Sequence, residues 1–267
     1  MPVAFIGHGS PMNAIEDNTY HWQWRLLGER LPRPRAILCV SAHWQAQGVR
    51  VTGASHPSTI HDFFGFPQAL FDVQYPAPGD AKLARRVVEL LGGHKLAHVD
   101  ATRGLDHGAW SVLRAMYPAA DVPVVQLSID TTMPGGHHYE LAKQLAPLRD
   151  EGVLVLGSGN IVHNLALFDW RNQRPLDWAI RFDGAVKRRI GAREHIELAD
   201  WPRMGADAHL AIPTPEHYLP LLYVLALQRD GDRARFFNEE VLGSLSMTSV
   251  VISAGNAVAA STPPARA

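Results

Sequence analysis

The chain has 267 residues, of which 46% are hydrophobic and 19% charged, and its 25 basic and 26 acidic residues give a formal net charge of −1. This length suits one large α/β core, and the charge balance argues against nucleic acid or an anionic membrane as a partner. The single cysteine, Cys39, excludes an internal disulfide and argues against a thiolate metal site. We find no signal-peptide pattern and no apolar run of roughly 20 residues, so we expect a cytoplasmic protein.

Apolar runs alternate with amphipathic stretches along the chain. Strands are predicted at 3–6, 36–41, 48–53, 95–99, 122–129, 153–156 and 246–253. Helices are predicted at 19–31, 80–91, from about 107, at 137–149, 174–191 and 214–227, with Thr214 as the N-cap of the last one, whereas 192–214 is expected to be mostly irregular. The alternation predicts a single α/β domain over residues 1–254, with a mostly parallel or mixed sheet covered by helices on both faces. We expect residues 255–267 to form a flexible tail.

Histidine is unusually abundant, with 14 residues, and four of them stand at the ends of predicted elements. His8 and His43 end apolar strands, His163 follows a GSGN turn, and His217 lies in the first turn of the 214–227 helix. Ligands of open α/β sheets gather beyond the carboxyl ends of the strands, and neutral imidazole is a common metal ligand. The four residues therefore suggest a metal site at this rim, although each could instead be a polar strand end bonded to a nearby carbonyl.

Two other stretches invite a functional interpretation. The segment 55–79 is long, poorly periodic and rich in aromatic residues, which favours an ordered functional loop. The glycines around Ser158 could cradle a phosphate or present a nucleophile, but their spacing fits neither the dinucleotide and P-loop patterns nor the G-x-S-x-G elbow.

A set of motifs in fixed order carries a family resemblance. The motifs are IGHGSP, SAHW, HDFFGFP, QYPAPG, GLDHGAW, VPVVQLSI, GSGNIVHN, TPEHYLPLLY and SLSMTSVV, and they extend from residue 6 to about residue 251. Together they resemble the DODA-type family of extradiol aromatic ring-opening dioxygenases, part of the class III extradiol superfamily related to protocatechuate 4,5-dioxygenase. The resemblance implies an α/β protein that holds one non-haem metal, Fe(II) for catalysis, with zinc found in some bacterial members.

The resemblance also implies roles for individual residues. His8, His43 and His217 match the family's metal ligands, with Glu216 as the alternative to His217 because the wider superfamily commonly uses glutamate there. His163 matches the fourth active-site histidine, which is either a further ligand or the acid/base beside the metal.

Further residues are expected around the substrate. His107 of GLDHGAW would lie near it and donate a hydrogen bond to it or to bound oxygen, and Asp106 could orient a neighbouring imidazole. We expect the aromatic walls of the pocket to come from Trp44, Phe63, Phe64 and Trp110.

Three functions from different classes follow. The first is an Fe(II) dioxygenase that uses O2 to open the ring of a catechol, such as a DOPA-like or caffeate-like compound. The second is a zinc hydrolase that uses a metal-bound water, with His163 as general base. The third is a non-enzymatic metal-binding or interaction protein, against which the complete set of histidines argues. The sequence leaves the oligomeric state open.

Overall fold

Eight strands form one mixed sheet in the computed structural model, which describes residues 1–93 and 96–255. A separate pair of short strands, β8 and β9, lies outside it. The strands are β1 Val3–Gly7, β2 Ala36–Gln45, β3 Val49–Thr52, β4 Ala97–Asp100, β5 Val124–Ile129, β6 Val153–Gly159, β7 Asp232–Phe237, β8 Val241–Leu242, β9 Leu245–Ser246 and β10 Ser249–Ala254. The order in the large sheet is β4-β3-β5-β2-β6-β1-β10-β7.

The four central strands, β5, β2, β6 and β1, run parallel, whereas β3 and β10 pair with them in the antiparallel direction. The register places Ser158 of β6 opposite both Ile6 of β1 and Ser41 of β2. The carboxyl ends of these three strands therefore lie side by side, and the residues that follow or end them meet at one rim of the sheet.

Helices cover both faces of the sheet. They are α1 Thr19–Arg30, α2 Gln68–Phe71, α3 Ala81–Leu90, α4 His107–Met116, α5 Gly135–Lys143, α6 Pro147–Asp150, α7 Asp177–Ala192, α8 His195–Ala199, α9 Ala206–Ala211 and α10 Leu219–Leu225, with short 3-10 turns at Pro11–Ala14, Leu165–Leu167 and Trp201–Met204. Among these described helices, none is long and apolar enough to cross a membrane.

Two apolar cores explain why the central strands are mostly apolar and why β1 has no polar residue. On β1, Val3 and Phe5 join a core with α3, α7 and α10, whereas Ala4 and Ile6 join a core with α1 and α4 on the other face. A strand buried on both faces needs no polar residue in its alternation. The predicted α/β architecture with a mixed, doubly covered sheet is confirmed.

Some predicted boundaries are wrong. The stretch 192–214, expected to be mostly irregular, contains α8 and α9, and the predicted helix 137–149 is divided into α5 and α6. In α1 the buried side chains are Trp24 and Leu27, whereas Trp22 and Leu26 are partly exposed. Lys95, in the predicted strand 95–99, and residues 256–267 of the predicted tail lie outside the described residues.

The last predicted helix begins later than its sequence suggests. The helix α10 starts at Leu219, and Thr214 does not cap it, because its hydroxyl donates to the side chain of Glu216. Residues 214–218 form a turn in which the carbonyl of Pro215 accepts the backbone N–H of Leu219. His217 therefore precedes the helix and lies in this turn.

The glycines of β6 allow this turn to approach the sheet closely. The strand continues through Gly159 rather than ending in a GSGN turn after 156. A Cβ at Gly157 would lie 2.5 Å from the carbonyl oxygen of Pro220, and one at Gly159 would lie 2.1 Å from the carbonyl oxygen of His217. Both glycines thus serve close backbone packing, and the same packing places His217 at the carboxyl end of β6.

Candidate active site

Imidazoles from separate elements converge at the rim of the parallel strands. His8 follows β1, His43 lies near the end of β2, and their Nε2 atoms are 3.2 Å apart. Donor atoms of His8, His43 and His107 lie within 4.8 Å of one another. A second group with the same spacing contains His163, Glu216 and His217.

The ring of His8 is held in one tautomer. Its Nδ1 lies 2.9 Å from the hydroxyl oxygen of Ser158, and that hydroxyl donates to the carbonyl oxygen of Gly108 at 2.6 Å. Because the hydroxyl hydrogen is already used, Ser158 accepts from Nδ1–H of His8. The Nε2 atom of His8 therefore presents a lone pair to His43.

The short distance between the Nε2 atoms of His8 and His43 matches a shared cation. Two imidazole nitrogens that each lie about 2.1 Å from one metal ion are separated by about 3.0 to 3.4 Å. Without a metal, a neutral His43 bridges the same distance by donating its Nε2–H to the lone pair of His8.

His217 lies close to both of these rings, and His163 lies against His217. The His217 ring centroid lies 5.4 Å from that of His8 and 5.0 Å from that of His43, and the His163 ring stacks on it at 3.5 Å with an interplanar angle of 7°. Nδ1 of His217 donates to Oε1 of Glu216 at 3.0 Å, which leaves its Nε2 free for a metal. The same carboxylate oxygen accepts from the hydroxyl of Thr214 at 2.8 Å, so Glu216 supports the ring of His217.

Asp62 is a site residue that the sequence reasoning missed. Its Oδ1 accepts both the backbone N–H of His107, at 3.0 Å, and Nδ1–H of the same residue, at 2.9 Å. The ring of His107 packs against that of His43 with centroids 3.8 Å apart. Since Nδ1 carries the proton, Nε2 is the atom of His107 that is available to a ligand.

Asp106 does not orient an imidazole, which corrects our expectation. It caps α4 by accepting from the backbone N–H of Ala109 at 3.1 Å, and it also accepts from Ser41 and Gln126 at 2.6 and 2.7 Å. These contacts tie the start of α4 to β2 and β5. For Asp62, the carboxylate that does contact His107, the available sequence signal was the HDF motif at 61–63, among the aromatic residues of the 55–79 loop.

Burial keeps the central imidazoles neutral. Burial, together with neighbouring histidines, holds the pKa values of His8 and His217 well below the usual value and lowers that of His43 to about 3. Burial also lowers the pKa of His163 to about 4. Burial alone would raise the pKa of Asp62, but the hydrogen bonds from His107 lower it to about 2. At neutral pH the central imidazoles thus offer uncharged nitrogen lone pairs, with the carboxylates of Asp62 and Glu216 at their outer nitrogens.

The aromatic residues divide between wall, core and solvent. The ring of Phe63 lies 5.5 Å from that of His107 and 6.1 Å from that of Trp110, whose Nε1 donates to a backbone carbonyl and which belongs to the core. Trp44 is buried, whereas Phe64 is 91% exposed. The structure therefore places Phe63 beside the histidines and, against our expectation, Phe64 in solvent.

Comparison with known proteins identifies the family. The family described as the catalytic LigB subunit of aromatic ring-opening dioxygenase matches residues 3–253. The chain belongs to this family. It is 48% identical over 258 residues to 4,5-DOPA dioxygenase extradiol of Escherichia coli K12, with 94% of each chain covered, and 36% identical over 249 residues to that of Beta vulgaris, with 90% of this chain and 92% of the relative covered.

A solved structure shows the same LigB-family fold. The crystal structure of an uncharacterised protein from Escherichia coli K12 superposes with a TM-score of 0.82 at 43% identity, covering 95% of this chain and 100% of the other. These findings confirm the resemblance of the sequence motifs to extradiol dioxygenases. Ring-opening enzymes of this family depend on a metal, and the histidine cluster of this LigB-family chain offers a site for one.

Proposed function

We propose that this LigB-family protein is a metal-dependent extradiol dioxygenase that uses O2 to open a catechol ring beside its two hydroxyl groups. The observation that carries the proposal is the pair of Nε2 atoms of His8 and His43 at 3.2 Å, within a cluster that other imidazoles complete. The similarity to 4,5-DOPA dioxygenases over nearly the whole chain supports a DOPA-like catechol as substrate.

The residues fit a divalent metal. We infer that His8, His43 and His217 would hold it, because the Nδ1 atoms of His8 and His217 are occupied by Ser158 and Glu216 and their Nε2 atoms are free. Neutral imidazoles suit both iron and zinc, so the donor set alone does not choose between them. We propose Fe(II) for turnover, because a bound metal must chelate the catechol and supply redox chemistry that zinc lacks, and zinc as an occupant acquired on isolation.

Two histidines that are not among the three inferred metal ligands would act on the hydroxyl groups of the substrate. His163 stacks on His217 beside the inferred ligands, and this position would let it take a proton from a catechol hydroxyl and return it later in the reaction. His107 turns its Nε2 towards the same centre, since Asp62 takes Nδ1–H, and can hold the second hydroxyl by a hydrogen bond. Phe63 would exclude water from one side of the ring.

Oxygen uptake tests the proposal. The chelator-treated protein, reloaded with Fe(II), should consume O2 with a catechol and form a yellow ring-opened product, and the His163→Ala variant should lose most of this activity while binding iron. A zinc-loaded sample should be inactive. The hydrolase would be favoured if the zinc form hydrolyses esters or amides without a catechol and the iron form takes up no oxygen. Inactivity of both forms would favour a non-enzymatic role.

A further inference from the structure

Arg103 is fixed at the edge of the histidine cluster. It lies in the loop between β4 and α4, four positions before His107. Its Nη2 atom donates to the carbonyl oxygen of His43 at 3.4 Å, and its guanidinium carbon lies 5.5 Å from the centre of the Trp44 ring. The long side chain is therefore stacked and oriented rather than free in solvent.

The guanidinium group has unused hydrogen-bonding capacity. Its Nε is buried and has no hydrogen-bond partner among the described residues. The nearest carboxylate, Asp106, lies 3.8 Å from Nη2, which is beyond hydrogen-bond distance, and its oxygens already accept from Ser41 and Gln126. An oriented guanidinium whose neighbours do not use all of its hydrogen-bonding capacity can bind an anion through its accessible N–H groups, and its planar fork matches a carboxylate.

The side chain is also within reach of a ligand. It is 26% exposed, whereas Asp106 behind it is completely buried. Part of the side chain is thus accessible from solvent beside His43, whose carbonyl it contacts.

We propose that Arg103 binds a carboxylate carried by the side chain of the catechol, so that the enzyme selects catechols with an acidic side chain over neutral ones. This inference rests on the proposed function, because it assigns the substrate class of the same site. The competing explanation is structural: Arg103 would only balance the buried charge of Asp106. The structural explanation predicts that replacing Arg103 lowers the activity equally for every substrate, whereas the proposal predicts a loss only for substrates that carry a carboxylate.

The test compares two substrates that differ in one charge. Hydrocaffeate and its methyl ester share the catechol and the chain, and the ester lacks the anion. Oxygen uptake by the Fe(II)-loaded protein is measured with both for the wild type, Arg103→Met, Arg103→Lys and the control Arg50→Met, which removes an exposed positive charge from the neighbouring strand β3. Thermal unfolding of each variant reports its folding.

Loss of a charge-assisted hydrogen bond should lower kcat/KM for hydrocaffeate about ten- to a hundredfold in Arg103→Met, and that for the ester less than about twofold. Arg103→Lys should retain part of the preference for the acid, and Arg50→Met all of it. Equal losses for acid and ester would overturn the inference in favour of the structural role, and unchanged values for both would overturn it outright.

A binding measurement separates this inference from the proposed function. Titration calorimetry of the zinc-loaded protein, which cannot turn over a catechol by oxygenation, should show tighter binding of hydrocaffeate than of its ester in the wild type and equal binding in Arg103→Met. Absence of oxygen uptake would refute the dioxygenase and leave this preference measurable. Absence of the preference in the calorimeter would refute the role of Arg103, whatever the activity.

Discussion

Ser158 is the residue whose replacement tests the metal centre most cleanly. Its hydroxyl joins Nδ1 of His8 to the carbonyl of Gly108, and the side chain is completely buried in β6. In Ser158→Ala, the Nδ1–H of His8 loses its partner in a place that water does not reach, whereas the carbonyl of Gly108 keeps its place in the hydrogen-bond ladder of α4. One buried orphan costs about 1 to 3 kcal/mol, so we expect the free energy of unfolding of the metal-free protein to fall by about that amount.

The same replacement should weaken metal binding by about ten- to a hundredfold, because the ring of His8 is no longer held with Nε2 towards His43. The matched control is Ser128→Ala: Ser128 is a buried serine of β5 whose hydroxyl accepts the backbone N–H of Arg50. Competition with a chelator measures the affinity, and urea unfolding measures the stability. Equal metal affinities for Ser158→Ala and Ser128→Ala would refute the reasoning.

Two further replacements probe the site and the core. Asp62→Asn should lower kcat with hydrocaffeate by about ten- to a hundredfold, because His107 loses the carboxylate that orients it. The control Asp72→Asn, on the exposed part of the same loop, should leave kcat unchanged. Equal kcat values for the two variants would contradict the role of Asp62. Burial lowers the pKa of His138 from its usual 6.5 to about 4. As the pH drops, the unfolded chain therefore binds the proton before the folded protein does. The free energy of unfolding should fall by up to about 3 kcal/mol between about pH 6.5 and about pH 4. His138→Gln should reduce this loss in urea unfolding of the metal-free protein, whereas His98→Gln, at an exposed position of β4, should not. An unchanged pH slope in His138→Gln would contradict the assignment.

The convergence of the histidines was accessible from the sequence because it follows from strand direction. Apolar runs that end at His8 and His43 predict parallel core strands, and the carboxyl ends of such strands share a rim. The start of α4 was also readable, since Asp106 is a regular N-cap for a helix at His107. Both inferences needed local patterns and one general rule of sheet topology.

Other features of the fold and the site depend on contacts between residues that are far apart in the sequence, and local patterns do not reveal them. The Thr-Pro-Glu signal at 214–216 is a good local helix start, but the backbone N–H of Asn160 bonds to the carbonyl of His217, and this contact holds 214–218 as a turn. Nothing near His107 in sequence announces Asp62, which is 45 positions away. The short helices α8 and α9 have too few turns to show a period.

The most direct test of the central claim is turnover of hydrocaffeate by the Fe(II)-loaded protein under oxygen-18 gas. Mass spectrometry of the product, reduced with borohydride at once to prevent exchange of the aldehyde oxygen, gives the number of labelled atoms. We expect a ring-opened product that carries both atoms of one O2 molecule and no product from zinc-loaded protein. A product without label, or one labelled only when oxygen-18 water replaces the gas, would contradict a dioxygenase and indicate hydrolysis.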